Sequence, residues 1–212
     1  MEEESSQYDD IPILPERVPV EMPDLPPRVR VTTTEQLRAL SDAVRSRILG
    51  ILQTQPATAK QIAERLGATP GAIGHHLRIL EEAGLVQVIA RRLVRGVVAK
   101  YYTRTARIFD YDLPPEVTGA NTVALDMLRR AWSELAEAPP PSPDIPRSIA
   151  FPHVRLSAER ARYYDRRLSA LIEELLQEPA ESAGEVYGVC VALFRAPPYL
   201  QTAPQPETPE EQ

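Results

Sequence analysis

The chain of 212 residues has one cysteine, Cys190, three histidines and only 6% aromatic residues. A single cysteine excludes an internal disulfide framework and a zinc site built from the cysteines of one chain. No apolar run approaches the ~20 residues that span a bilayer. The start, Met1-Glu2-Glu3-Glu4-Ser5, lacks the basic and apolar regions of a secretory signal. Both absences predict a cytoplasmic protein with no membrane partner. There is no Gly-rich phosphate loop, no nucleophile beside a base and no set of convergent metal ligands, so the reading is of a protein that is not an enzyme and carries no cofactor. Asp110 and Asp112, flanking Tyr111, read as a charged domain exit rather than a catalytic pair.

What is present is segregated charge. The net charge of -6 hides three blocks. Residues 1–27 hold one Arg and eight acidic residues, a net of -7. Residues 28–105 hold thirteen Lys/Arg and five acids, a net of +8, and residues 106–212 hold ten Arg and seventeen acids, a net of -7. A basic block between acidic flanks is a local electrostatic footprint for a polyanion, which the overall pI conceals.

Proline divides the chain. Six prolines among residues 1–27 fix φ and remove donors, predicting a disordered acidic tail. Residues 196–212, with five prolines and three glutamates, read the same way, and 138–146 reads as a stiff Pro-rich linker. Two ordered regions remain, a domain at 28–112 and a C-terminal region at 116–195.

The first region carries clear local signals. Thr33 with Gln36 can form a capping box. Leu37, Leu40, Val44, Ile48 and Leu52 recur at helical spacing, and Ser41-Asp42 can split that run into two helices. Thr58 opens a further helix with Ile62, Ala63 and Leu66 inward, and Gly67 stops it. Thr69-Pro70 is an N-cap followed by proline at the first helical position. Ile73, Leu77 and Leu80 line the inner face of the helix over 70–83, and Gly84 ends it. Two strands follow, at 85–89 and 97–103, joined by a turn at 91–96. Two short helices around Gly67 and a hairpin behind them make a winged helix-turn-helix. In that arrangement the first helix braces and the second enters the major groove.

Three stretches resemble ArsR-type transcriptional regulators. They are the run Gln36 to Leu49, the run Gln61 to Val86 with its His75-His76-Leu77 and Glu82-Ala83-Gly84-Leu85-Val86, and Tyr101-Tyr102 in the second wing strand. The resemblance covers roughly 34–110 and implies a homodimeric repressor-type regulator that binds double-stranded DNA. Metal-sensing members of the family use cysteines near the helix here at 58–66, or His/Asp/Glu sets on a helix after the wing. This chain has no Cys, His or Asp in 58–66, and the predicted helix at 118–137 has no His. The resemblance is therefore to a branch that does not sense metals, and no metal site is expected.

On a helical wheel the face opposite Ile73 holds Gly71, His75, Arg78 and Glu82, with Gly74 to one side. The expected DNA contacts on this helix are Thr69, Gly71, Ala72, Gly74, His75 and Arg78. His75 can donate or accept at a purine edge, Arg78 can grip guanine or phosphate, and glycines allow close backbone approach. Plain solvent exposure is the bland reading of His75, while His76 reads as a packed residue. Arg91, Arg92 and Arg95 are placed at the wing tip, where they can reach phosphate or a narrow minor groove. Lys60 is a further phosphate contact. Arg45 and Arg47 are weaker candidates, one of them suited to a structural ion pair.

In the second region Asn121, Ala124, Leu125, Leu128, Trp132 and Leu135 mark one apolar helix face. The resemblance makes Leu125, Leu128 and Trp132 the expected dimer seam; packing within the chain is the other reading. Residues 147–156 and 185–194 read as strands flanking a helix capped by Ser157, and Cys190 reads as a small core residue. The region has room for a small-molecule effector, which no polar constellation identifies. The fold class is α+β: a winged helix-turn-helix domain followed by a small helix/strand C-terminal region. The function read from this is a sequence-specific DNA-binding regulator. The alternative is a winged-helix protein-interaction module in a larger assembly, against which the basic block and the wing arginines weigh.

Overall fold

The computed structural model describes residues 8–94, 96–111, 122–143, 145, 147–178 and 184–201. The chain forms two compact units, Met1–Arg129 and Arg130–Gln212.

The first unit is built from local signals that the caps make explicit. Strand β1 (Arg28–Val31) leads into α1 (Thr34–Leu40), whose capping box joins Thr33 and Gln36 in both directions. Asp42 accepts from the Arg45 amide at 2.9 Å and starts α2 (Ala43–Thr54), so the long apolar run is indeed two helices. A short β2 (Ala57–Thr58) precedes α3 (Ala59–Leu66), opened by a second capping box between Thr58 and Gln61. Gly67 ends α3 at φ 62°, a left-handed conformation that costs a residue with a Cβ roughly 1–2 kcal/mol. Thr69 caps α4 (Pro70–Glu82), with proline in its first turn.

Strands β3 (Val86–Val94) and β4 (Val97–Arg104) form the wing hairpin, and β5 (Ile108–Tyr111) returns. The wing belongs to a three-stranded sheet in the order β2-β4-β3, leaving β3 as an outer strand. The register shifts between Val88 and Ala90, a bulge that twists the hairpin more strongly. β5 pairs in parallel with β1, Val31 opposite Tyr111. The core gathers Ile48, Leu52, Ile62, Ile73, Leu77, Leu80 and Leu85, with Ala63 where α3 meets α4. Each such aliphatic side chain contributes about 1.5–3 kcal/mol by burial, and together they hold α4 against the sheet.

Composition predicts disorder for residues 1–27, yet 8–27 follow a defined path along the wing. Leu14 N–H donates to the Arg91 carbonyl at 2.8 Å and Arg91 N–H donates to the Pro12 carbonyl at 2.9 Å. Tyr8 and Leu25 are buried. Proline removes regular structure but does not prevent a chain from lying against an open strand edge.

The second unit holds the end of α5 (Thr122–Glu137), α6 (Ala158–Gln177) and a 3₁₀ turn at Pro198–Leu200. Ser157 caps α6 as expected. The strands expected at 147–156 and 185–194 belong to no sheet among the described residues. A strand needs a partner edge as well as an apolar pattern. Cys190 is exposed, not a core residue. None of the described residues of this unit is buried. Asn121 and the stretch around 112–118 lie outside the described residues.

Candidate nucleic-acid interface

The surface that α4 presents follows from which side chains its core contacts consume. Ile73, Leu77 and Leu80 are buried, so Thr69, Gly71, Ala72, His75, Arg78 and Glu82 are exposed and Gly74 is half-buried. This is the face that the wheel predicts. The Thr69 hydroxyl accepts from the Ala72 amide at 3.3 Å and is committed to the cap. A Cβ built on Gly71 or Gly74 would meet nothing within 4 Å, and both sit in a helix that alanine would favour. Nothing inside the molecule therefore requires glycine at either position.

His75 and Arg78 form a pair one turn apart, with Arg78 Nη2 at 3.1 Å from His75 Nδ1. A guanidinium only donates, so Nδ1 accepts and the ring proton lies on Nε2. The pair thus offers an imidazole N–H and the remaining guanidinium N–H groups side by side, a donor array suited to purine N7 and O6 acceptors or to phosphate. His76 turns the other way, half-buried, with Nδ1 3.9 Å from Asp42 Oδ1. Lys60 is 77% exposed and 3.9 Å from Glu64 on the bracing helix α3, a surface pair that leaves it accessible. Arg45 is a structural clamp: its side chain is 13% exposed and donates to the carbonyls of Ala39 at 2.7 Å and Arg38 at 2.8 Å, closing the end of α1.

The wing differs from the sequence reading. Its strands extend to Val94 and resume at Val97, so Arg91 and Arg92 lie within β3 and not at the tip. Arg95 lies outside the described residues. The hairpin is longer than expected because Leu93-Val94 and Val97-Val98 continue the ladder in register. The tip itself carries Gly96 at φ 82°, the conformation that a tight turn demands.

Both described wing arginines are engaged by the segment before β1. Arg91 is 15% exposed. Its Nε donates to the Ile11 carbonyl at 3.0 Å and its Nη2 to the Asp9 carbonyl at 3.3 Å, and Nη1 lies 3.7 Å from the Asp9 carboxylate. Arg92 donates to the Val18 carbonyl and, at 3.3 Å, to the Tyr101 hydroxyl, with its guanidinium over the Tyr101 ring. Tyr8 completes the contact. Its hydroxyl donates to Glu81 of α4 at 2.9 Å, and the Lys100 ammonium sits 3.7 Å above its ring. Sequence reasoning missed Tyr8, Lys100 and Tyr101 as parts of this surface. The signals toward them were the opposite charge of residues 1–27 and 28–105 and, for Tyr101, its place in the resemblance.

Among the described residues no group of three or more His, Cys, Asp or Glu side chains is placed to hold a metal ion. No described helix is long and apolar enough to cross a membrane. The exposed face of α5 carries Leu125, Leu128 and Trp132, the last 71% exposed.

Residues 42–88 match the family of bacterial regulatory proteins, arsR family. Solved structures similar to the chain include three from bacteria. One is the homodimeric winged helix-turn-helix DNA-binding domain of Mb0332 from Mycobacterium bovis, 19% identical, covering 49% of this chain and 79% of that one, with a TM-score of 0.30. Another is HlyU from Vibrio cholerae, 22% identical over 47% of this chain and 89% of that one, with a TM-score of 0.30. The third is the cadmium sensor CMTR from Mycobacterium tuberculosis, 24% identical over 55% of this chain and 98% of that one, with a TM-score of 0.28. No curated protein matches the chain.

Proposed function

We propose that this chain, whose residues 42–88 form an ArsR-type helix-turn-helix, is a sequence-specific transcriptional repressor that binds duplex DNA as a homodimer. The observation that carries the reading is the outer face of α4. Its two glycines meet no atom within 4 Å where a Cβ would stand, and its cationic side chain, Arg78, has His75 as its partner among the described residues. In this reading Gly71, Ala72 and Gly74 let the backbone approach the base edges, while His75 and Arg78 read them. Thr69 stands at the start of the helix, in the part nearest the base edges, and Lys60 on the bracing helix is a phosphate contact. Arg91, Arg92 and Arg95 supply wing contacts to the backbone or the minor groove. A two-fold dimer places two such helices about one DNA turn apart, and the exposed Leu125, Leu128 and Trp132 of α5 are its proposed seam. Repression follows if the bound dimer excludes polymerase from an overlapping promoter. Any effector acts through 116–195, as an organic ligand or a partner protein.

The test is binding of the full chain to duplex DNA from its own upstream region at several ionic strengths. Log affinity is expected to fall linearly with log salt, with a slope of about -0.9 per neutralised phosphate. Absence of binding to any duplex would return the chain to the protein-interaction reading.

A further inference from the structure

The segment before β1 does more than cover an edge. β3 is the outer strand of its sheet, and an open strand invites pairing with another chain. Residues 8–22 occupy it through one parallel bridge, Ile13 opposite Arg91, with its two backbone hydrogen bonds. A simple edge cover needs only those. Here the two wing arginines also turn their guanidinium groups into the segment and donate to the carbonyls of Asp9, Ile11 and Val18. The segment brings Asp9, Asp10, Glu16 and Glu21 against a single Arg17. Its first residue, Tyr8, bridges α4 and the wing, reaching Glu81 on one side and Lys100 on the other.

From this arrangement we infer that residues 8–22 are a built-in competitor for DNA, an acidic peptide held on the wing by the arginines Arg91 and Arg92 that a duplex needs, and displaced when phosphate takes those arginines. The inference rests on the DNA-binding reading above. The balance of interactions favours exchange. Arg91 and Arg92 now hold neutral carbonyls, the Tyr101 hydroxyl and one carboxylate, and the carboxylate pair is of small net worth because Asp9 is open to water. A phosphate offers a charge-assisted, bidentate acceptor instead. Neutralising phosphates also releases counterions condensed on the duplex, a gain that carbonyl contacts do not provide. The acidic segment thereby raises the threshold for non-specific duplex, and sites that add base contacts from α4 overcome it.

The test uses the full chain and a labelled mixed-sequence duplex of about three helical turns, roughly 30 base pairs. Amide hydrogen exchange is followed at Leu14 and Arg91, whose amides bond across the bridge, with and without saturating duplex. The expected result is protection in the free protein and loss of protection at Leu14 in the complex. A charge-only variant, Asp9→Asn with Asp10→Asn, Glu16→Gln and Glu21→Gln, and an anchor variant, Tyr8→Ala, are each expected to bind the duplex about fivefold tighter at low salt. The salt slope of Tyr8→Ala should match that of the wild-type chain, because in both complexes the two arginines end on phosphate. Equal protection of Leu14 with and without bound duplex would overturn the inference while leaving DNA binding intact. Failure of the wild-type chain to bind any duplex would instead sink the regulator reading, and this one with it.

Discussion

Arg78 donates to His75 Nδ1 across one turn of α4 at 3.1 Å, on the face that the core leaves exposed. With Nδ1 accepting from the guanidinium, Nε2 is left as the donor of the ring. The two side chains should therefore act as a unit. Arg78→Ala is expected to cost about 1–3 kcal/mol of discrimination at one base pair, and His75→Ala a smaller amount at the same position or its neighbour. The double variant should lose less than the sum, because each single change already frees the other group. Both sites are exposed, so folding stability should stay within about 0.5 kcal/mol. Affinity measured over a panel of single-base variants of the bound site is the check. Uniform loss across all sequences would make Arg78 a phosphate contact instead.

Gly71 and Gly74 separate stability from function. Neither meets any atom within 4 Å where a Cβ would stand. Gly71→Ala and Gly74→Ala should each stabilise the fold by about 0.5–1 kcal/mol, since alanine loses less chain entropy in a helix. DNA affinity should fall in the same variants if the backbone approaches the groove closely. Thermal unfolding and duplex titration of one preparation give both answers. A more stable protein with unchanged affinity would remove the glycines from the interface.

Leu128 tests association. It lies with Leu125 and Trp132 on the exposed face of α5, all apolar and unburied in the single chain. Leu128→Asp should convert dimers to monomers in sedimentation and weaken DNA binding in parallel, because one half-site loses its partner's contribution. It should leave unfolding of the helix-turn-helix nearly unchanged, as Leu128 lies outside the core cluster. A variant that stays dimeric would move the seam elsewhere.

The helix-turn-helix was legible residue by residue because its determinants are short-range. A hydroxyl three residues before a Gln makes the capping box at Thr33, Thr58 and Gly67 bound α3, and Thr69-Pro70 opens α4. Three- and four-residue apolar spacing then decides which face is buried, and so which residues of α4 face outward. None of this needs knowledge of distant parts of the chain. The tertiary structure alone decided the fate of the wing arginines and of the segment before β1. Asp9 and Arg91 are about eighty residues apart, and extended chains pair through backbone groups that every residue carries, so the opposite charges of the two blocks suggest an attraction but no periodicity marks which residues pair. The parallel pairing of β1 with β5 is of the same kind. The apolar runs at 147–156 and 185–194 show the converse. Their pattern suits strands, but a strand exists only where another edge supplies its hydrogen bonds, and the described residues of that unit supply none.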